Sequence, residues 1–373
     1  MATQELIPIG SWVSIFEARA KGIENAYLKR VGEHIKRIGG LLPSDLNRLA
    51  EMRRLDRNLN DIRAEIAKQS GLNATQVNMA LLQYALTEYN HAATLMGIQD
   101  PPPATQNEEL MRLVRAQARV TAGTMFNLSQ TTIESTLYRQ VVDIAVQAVQ
   151  MGQADYNSMV RSAAARVAQQ GLVMVYPTGY KRRMDSAIRQ NILDGTRALN
   201  QAVLDEVGAD FDANGVEITA HAMCAPDHLP YQGRQYSMDE YQALQAKLAT
   251  ANDGHHRPIG MWNCRHIARP IILGVSKPAY SEAQLRQYKE NSTKEITIDG
   301  KSRTRYEWTQ EQRKIETEIR KQRDLITLAD AQGDSAAVRG ARAAIKSLED
   351  RYVYISGKAG LEAQLERSMS RWR

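Results

Sequence analysis

The side chains best suited to chemistry are concentrated between His221 and Pro270. Both cysteines of the chain, Cys224 and Cys264, lie in this segment, together with five of its seven histidines. Those histidines are His221, His228, His255, His256 and His266. Thiolate and imidazole are ligands that zinc favours, normally in a tetrahedron of four. The segment therefore presents a candidate metal site.

Two short spacings support a metal site without fixing its ligands. His221 and Cys224 are three positions apart, and Cys264 and His266 are two apart, which puts the second pair on one face of an extended chain. These spacings match no standard zinc motif. Further candidate ligands are Asp227, His228, His255 and His256. The alternative is that these side chains only hydrogen-bond the loops of a small domain.

Enzyme motifs are weaker in this segment. The chain has no His-Glu-x-x-His helix and no Gly-x-Ser-x-Gly elbow. A zinc deaminase would place Glu two positions after its ligand histidine, whereas Ala222 and Met223 follow His221. A Cys264 nucleophile paired in space with His228 or His266 remains an alternative. A metal-dependent hydrolase or nucleotide-modifying enzyme is therefore a second hypothesis.

The elements around these residues predict a compact α+β unit over residues 171–280. Short runs rich in β-branched residues indicate strands, and Arg269-Pro270 indicates an edge strand because proline has no N–H to donate. Strands are expected at about 172–176, 216–220, 236 and 265–273. Helices are expected at about 183–207 and 238–248. This part of the chain thus has several predicted strands.

The other segments predict a mainly α fold. Helices are expected around residues 16–38, 45–69, 76–96, 108–121, 131–151 and 155–170. Asp299-Gly300 suits the tight turn of a β-hairpin, and Gly333-Asp334 separates two amphipathic helices that form a helical hairpin. The predicted domains are a helical region (1–100), a second helical region after the Pro101–Pro103 break (101–170), the α+β unit (171–280), and the hairpin with a basic helical tail (281–373).

Composition narrows the classes of protein. The net charge is +6 and the pI is near 9.2, which is too little to establish nucleic-acid binding. Two cysteines do not make a disulfide framework, so a reducing compartment is expected. The sequence has neither a signal peptide nor a run of about 20 apolar residues for a membrane span. We expect a soluble chain made in the cytoplasm.

The C-terminal tail carries most of the positive charge. From Lys301 to Arg373 there are 16 Lys and Arg against 11 Asp and Glu. Basic side chains on one predicted helix are candidates for phosphate contacts with DNA. They are Arg313, Lys314, Arg320, Lys321 and Arg323. Because the acids are interleaved with the bases, a merely solvated face is the alternative.

The order of several short motifs resembles the minor capsid proteins of tailed bacteriophages. The motif residues are His221, Pro226, His228, Gln232, Gly233, Asn263, Cys264, Arg265 and His266. The basic stretch 180–189 and the segment 310–320 resemble other parts of the same family. These proteins are similar to head-morphogenesis proteins typified by phage Mu's F protein, which share a closing motif that contains Cys-Arg. The resemblance covers about residues 165–360.

The resemblance implies a structural protein of the virion. It implies a place in the phage head near the portal, in several copies, with a role in head assembly or DNA packaging and delivery. The implied partners are the portal protein, other head proteins and packaged DNA, with no membrane and no catalytic role. Cys224 is not part of the family pattern. His221, His228, Cys264 and His266 are then chiefly a structural signature of the family. They are also the candidate ligands of a zinc ion that would act as a clamp on a small fold.

Overall fold

The computed structural model describes residues 101–134, 173–175, 181–250, 257–261 and 264–365, with parts of 21–36 and 78–98. Over these residues the fold is mainly α-helical, with small antiparallel sheets of two or three strands. This confirms the predicted mainly α class with a small α+β part. Within the described residues, no helix combines the length and apolar character that a membrane span needs.

The elements are numbered here in chain order. The strands are β1 (Val173–Val175), β2 (Lys181–Arg183), β3 (Gly215–Ile218), β4 (Gln235–Ser237), β5 (Ala268–Ile271), β6 (Glu295–Ile298) and β7 (Lys301–Thr304). The longer helices are α1 (Glu108–Glu134), α2 (Met184–Asp210), α3 (Met238–Thr250), α4 (Glu282–Thr293), α5 (Arg305–Gln332) and α6 (Ser335–Ala359). A short 3-10 helix, Ala104–Gln106, precedes α1.

The chain divides into two compact units built from segments distant in sequence. The described part of the first unit lies within Leu72–Thr124 and Gln190–Thr309. The described part of the second lies within Ser14–Gly71, Met125–Arg189 and Gln310–Arg373.

A three-stranded antiparallel sheet organises the first unit. β3 is the central strand, with β4 on one side and β5 on the other, and Val216 pairs with both Tyr236 and Pro270. Pro270 therefore lies on an edge strand, as its missing N–H predicts. Ile218 packs in a buried cluster with three residues from α3 and the loop after it. These are Leu244, Leu248 and Ile259.

Polar side chains hold the helices of the first unit together. Asn107 caps α1 by accepting a hydrogen bond from the Leu110 N–H at 2.9 Å. The same amide donates to Asp210, at the end of α2, over 3.2 Å. Tyr89, in a helical segment, donates its hydroxyl to Asp210 at 2.8 Å. One aspartate thus joins three helical segments.

The predicted hairpin is present as β6 and β7. Asp299 and Gly300 both have positive φ, 51° and 73°, as a primed two-residue turn requires. Trp308 follows the hairpin at the start of α5, is 1% exposed, and donates its indole N–H to the Ile296 carbonyl at 2.9 Å. The turn is therefore anchored to the first unit by a buried aromatic side chain.

The second unit contains the predicted helical hairpin of α5 and α6. Gly333 has φ 79°, and Asp334 caps α6 by accepting from the Ala337 N–H at 3.0 Å. Across the two helices, buried Tyr352 donates its hydroxyl to buried Glu316 at 3.0 Å. This confirms Gly333-Asp334 as the turn between the two helices.

The second unit also buries four charged side chains, which we call the ion cluster: Lys21, Glu24, Arg183 and Asp324. Lys21 contacts Asp324 and lies 2.8 Å from Glu24. Arg183 lies 2.7 Å from Asp324 and 3.3 Å from Glu24. The four side chains are between 0% and 10% exposed. Each acid therefore contacts both bases, and positive and negative charge balance.

Two local predictions differ from the structure. β2 was not predicted, because Lys181–Arg183 is a run of charged residues and becomes a strand only by pairing with β1. Helix α1 continues to Glu134, so the break predicted between residues 121 and 131 is wrong. The helices predicted at 45–69 and 155–170, and most of those at 16–38 and 131–151, lie outside the described residues.

Candidate metal centre

The candidate site lies at one end of the three-stranded sheet, just beyond the last paired residues of β3 and β5. Thr219 follows β3, and Ile267 precedes β5. The Thr219 N–H donates to the Ile267 carbonyl, and the Ile267 N–H donates to the Thr219 hydroxyl, each over 2.9 Å. These bonds hold side by side the two chain segments that carry the cysteines and histidines.

The loop between β3 and β4 folds back onto the sheet through two of the motif residues. The Gly233 N–H donates to the Ile218 carbonyl at 2.7 Å. Gly233 has φ 69°, and a Cβ there would lie 2.3 Å from a methyl carbon of Leu285, so glycine is required. The buried Gln232 side chain accepts from the His221 N–H at 3.1 Å. Both residues therefore shape the loop.

Four buried side chains meet at this end of the sheet, and we call them the thiol–imidazole cluster: Cys224, His228, Cys264 and His266. They are between 0% and 2% exposed. The Cys264 Sγ lies 3.2 Å from His228 Nδ1, and the Cys224 Sγ lies 3.1 Å from His266 Nε2. Candidate ligand atoms of His228, Cys264 and His266 all lie within 4.8 Å of one another.

The second nitrogen of each clustered imidazole faces a backbone carbonyl. His266 Nδ1 lies 2.8 Å from the Thr219 oxygen, and His228 Nε2 lies 2.7 Å from the Arg257 oxygen. The Asp227 carboxylate supports this wall of the site, since it pairs with Arg257 at 2.9 Å. Histidines that bind metals usually have their other ring nitrogen fixed in this way.

The two thiol–imidazole pairs differ in charge. Burial, followed by the Asp227 carboxylate, raises the pKa of the Cys224 thiol to about 12. Burial and neighbouring His221 lower the pKa of His266 to about 3, so this pair is neutral. Burial also opposes charge on Cys264 and His228. However, their mutual hydrogen bond and attraction outweigh it, so the pKa of Cys264 is lowered and that of His228 is raised.

His221 lies beside the cluster in a different arrangement. Its Nδ1 is 2.9 Å from the Ala222 oxygen. Its ring stacks on His266, with 4.5 Å between centroids and 22° between planes. Of the other predicted motif residues, Pro226 and Arg265 are exposed. Asn263 and the spare candidates His255 and His256 lie outside the described residues.

The residue that sequence reasoning missed is Cys224. It was set aside because the family pattern does not contain it, yet its side chain is 0% exposed and contacts His266. One sequence signal was available. Each cysteine precedes a histidine by a short interval, as Cys224 does His228 and Cys264 does His266. Two such pairs contain two sulfur and two nitrogen atoms that are candidate metal ligands.

The geometry favours binding over nucleophilic chemistry. Reactive cysteines occupy partly exposed sites, because a substrate must reach the sulfur. Cys264 and His228 are within contact distance but only 2% and 1% exposed. Two thiols and two imidazoles buried as two neighbouring pairs are, by contrast, a donor set that suits zinc.

The five basic residues predicted to contact DNA lie on α5 in the second unit. Three of them have carboxylate partners in the structure: Lys314 with Glu311, Lys321 with Glu318, and Arg323 with Glu349. The other two, Arg313 and Arg320, have side-chain hydrogen bonds to Gln310 and Thr317. The charge of this face is therefore interleaved, as the sequence predicts.

Comparison with known proteins gives one family. The family model of phage minor capsid protein 2 matches residues 21–353. The match includes the whole thiol–imidazole cluster and most of both helices of the C-terminal hairpin. Searches of curated proteins and of solved structures find no match.

Proposed function

This chain belongs to the phage minor capsid protein 2 family, and from that premise we propose that it acts in the phage head near the portal. There it would help to assemble the head or to package and deliver DNA. Membership indicates a virion protein that interacts with other head proteins. The observation that carries the proposal is the family match over nearly the whole chain, from residue 21 to 353.

The outer face of α6 has the character of a protein-binding surface. Val353 and Tyr354 are adjacent and are 49% and 42% exposed, so they place apolar surface next to each other on the helix. The Tyr354 ring has Arg351 and Lys358 within 6 Å, at 5.4 Å and 5.9 Å. Exposed aromatic and arginine side chains are enriched at protein interfaces. We therefore propose that this face contacts a neighbouring head protein.

Cross-linking of purified virions tests the location. We expect the polypeptide in virions, with cross-links from the exposed lysines of the chain to the portal protein. Virions without this polypeptide would refute the proposal. Cross-links confined to head proteins distant from the portal would refute the portal location alone.

The α6 surface has its own test. Val353→Glu and Tyr354→Glu should reduce incorporation of the protein into phage heads, since a charge buried in an apolar interface is costly. Val275, 71% exposed in the first unit, provides a matched control, because Val275→Glu makes a similar change elsewhere. Equal incorporation of all variants would exclude this face as a contact.

DNA contact by α5 stays a prediction with a direct test. Arg313→Glu with Lys314→Glu should weaken duplex binding by the full chain and flatten its dependence on salt. Lys277→Glu with Arg286→Glu makes the same charge change on exposed residues of the first unit. Equal weakening by both double variants would show a general charge effect without an α5 site.

The enzyme hypothesis predicts turnover on nucleic acid or NAD that is lost in Cys264→Ser.

A further inference from the structure

We infer that Cys224, His228, Cys264 and His266 bind one Zn²⁺ ion, which closes the end of the three-stranded sheet. The inference goes beyond the proposed function and does not depend on it. It differs from the ligand set predicted from the sequence by having Cys224 in place of His221. Four observations carry it: the donor types, the direction of the imidazole nitrogens, the distances and the burial.

The backbone fixes which nitrogen of each imidazole faces the ion. A carbonyl oxygen can only accept, so His266 Nδ1 carries a proton for the Thr219 oxygen 2.8 Å away. His266 Nε2 then offers its lone pair toward Cys224. In the same way His228 Nε2 donates to the Arg257 oxygen at 2.7 Å, and Nδ1 faces Cys264. Both metal-binding nitrogens therefore point into the cluster.

Two of the donor-to-donor distances are close to those of a tetrahedral zinc site. Zinc lies about 2.3 Å from sulfur and about 2.0 Å from nitrogen, so neighbouring donors are roughly 3.5 Å apart. The two observed sulfur–nitrogen distances are 3.1 Å and 3.2 Å. Binding of the ion would require the side chains to adjust, since the donor atoms of His228, Cys264 and His266 lie within 4.8 Å, and not 3.5 Å, of one another. The backbone N–H of His266, 3.3 Å from Cys264 Sγ, stabilises a thiolate there.

His221 cannot share an ion with His266 in this arrangement. An imidazole binds a metal through a lone pair in the plane of its ring. Because the two rings are stacked 4.5 Å apart with planes 22° from parallel, their lone pairs lie in separate planes and do not converge. Cys224, whose Sγ is 3.1 Å from His266 Nε2, supplies the fourth donor instead.

The ion would join two chain segments that are distant in sequence. Cys224 and His228 lie in the loop after β3, whereas Cys264 and His266 lie in the segment before β5. Among the described residues, the apolar cluster under this end of the sheet has four buried members, with three partly buried tyrosines packed against it. Small domains with few core residues are often stabilised by a structural zinc ion, since its binding energy adds to folding energy.

Elemental analysis of the full chain is the first test. The purified protein is stripped with a chelator, reconstituted with zinc chloride, and passed through a desalting column. We expect one zinc per chain in the wild type and in His221→Ala, which serves as the matched control because His221 lies against the cluster. Cys224→Ser and His266→Ala should retain less than one tenth of the wild-type zinc.

Cobalt distinguishes the two ligand sets. Co²⁺ in a tetrahedral site gives strong visible bands and a thiolate-to-metal band in the near ultraviolet, which grows with the number of sulfur ligands. Cys224→His keeps four ligands but replaces one sulfur. It should keep the visible bands and lose about half of the thiolate band, if each thiolate contributes equally. This variant keeps the inference testable where Cys224→Ser fails to fold.

Three outcomes would overturn the inference. Wild-type protein without stoichiometric zinc or cobalt would leave two thiol–imidazole hydrogen bonds as the whole cluster. An undiminished thiolate band in Cys224→His would exclude Cys224 as a ligand. Loss of metal in His221→Ala, with normal binding in Cys224→His, would restore the set that contains His221.

Discussion

Each unit contains a cluster of buried polar side chains, and the two clusters differ in their chemistry. In the second unit, Lys21 and Arg183 are matched by Glu24 and Asp324, so the ion cluster contains its own counter-charges. In the first unit, the thiol–imidazole cluster consists of two pairs of sulfur and nitrogen donors. Each cluster joins segments distant in sequence. The comparison separates a cluster that is complete within the protein from one whose donors suit an added cation.

The difference has an energetic consequence. A buried ion pair adds little when intact, because desolvation offsets the attraction, but loss of one partner leaves an uncompensated charge. A donor cluster that binds a metal draws its stability from the ion, so its contribution depends on the free ion concentration. The second unit should therefore respond to mutation, and the first to chelation as well as mutation.

The largest effect is expected from Asp324→Asn. This change leaves Lys21 and Arg183 buried with one carboxylate between them, and should destabilise the second unit by about 3–5 kcal/mol. Urea unfolding, followed by hydrogen exchange in α5 and α6, measures it. Asp330→Asn is the control, because Asp330 is on the same helix and exposed. Similar losses in both variants would contradict a special role for the ion cluster.

Chelation should have the next largest effect, and only in the first unit. If the free zinc concentration is 100 times the dissociation constant, removal of zinc lowers the free energy of unfolding by about 2.7 kcal/mol. Hydrogen exchange should accelerate in 219–234 and 264–267 and remain unchanged in α5 and α6. His266→Ala should show no further response to chelator. Faster exchange in both units would reject the proposed contrast.

Glu88, a buried acid outside both clusters, tests how much a hydrogen-bond partner stabilises a buried carboxylate. Glu88 is 3% exposed, one of its oxygens has no partner, and burial raises its pKa despite nearby Arg269. Because folding raises the pKa of Glu88, the protonated side chain favours the folded state. This stabilisation is lost as the pH rises from the ordinary pKa of Glu through the raised one. Glu88→Gln should therefore stabilise the protein by about 1 kcal/mol at pH 8, with a smaller gain near pH 4.

Glu217 is the matched control for Glu88. It is also buried in the first unit, at 5% exposed, but accepts hydrogen bonds from the Ala279 N–H at 3.1 Å and from Gln235 at 3.0 Å. Glu217→Gln should destabilise the protein, since the Ala279 N–H donates to both carboxylate oxygens and would then face the NH2 of the new amide. Thermal unfolding across pH measures both variants. The same sign of change in both would show that hydrogen bonding does not decide the outcome.

The smallest effect is expected at the surface of α5. Glu318 pairs with Lys321 at 2.6 Å, and its side chain is 48% exposed. Glu318→Gln should change stability by less than about 1 kcal/mol, because water screens an exposed pair. Urea unfolding measures it beside Asp324→Asn. A loss as large as that of Asp324→Asn would mean that burial is not what distinguishes the ion cluster.

Local chemistry made much of the fold predictable. Asp299-Gly300 predicts its turn because both residues tolerate positive φ, and Gly333-Asp334 predicts a helix end followed by a cap. The mainly α class follows from helical periodicity. Each of these features depends on residues within a few positions of one another.

Features that depend on distant partners were not predictable. Lys21 meets Asp324 across 303 positions, and no pattern near either residue indicates the other. Cys224 reaches His266 because the chain turns at Met223, which has φ 58° without being glycine. The candidate metal ligands carried over from the resemblance include three of the four clustered residues. The fourth required the geometry of the loop.

The edge strands of the small sheets have features that oppose the formation of fibres by strand addition between copies. An unpaired strand edge can add a strand from another copy, and short strands, charge and proline all discourage this. In the described residues β4 has three residues, β5 contains Pro270, and β2 consists of three basic residues. These edges therefore disfavour open-ended strand addition.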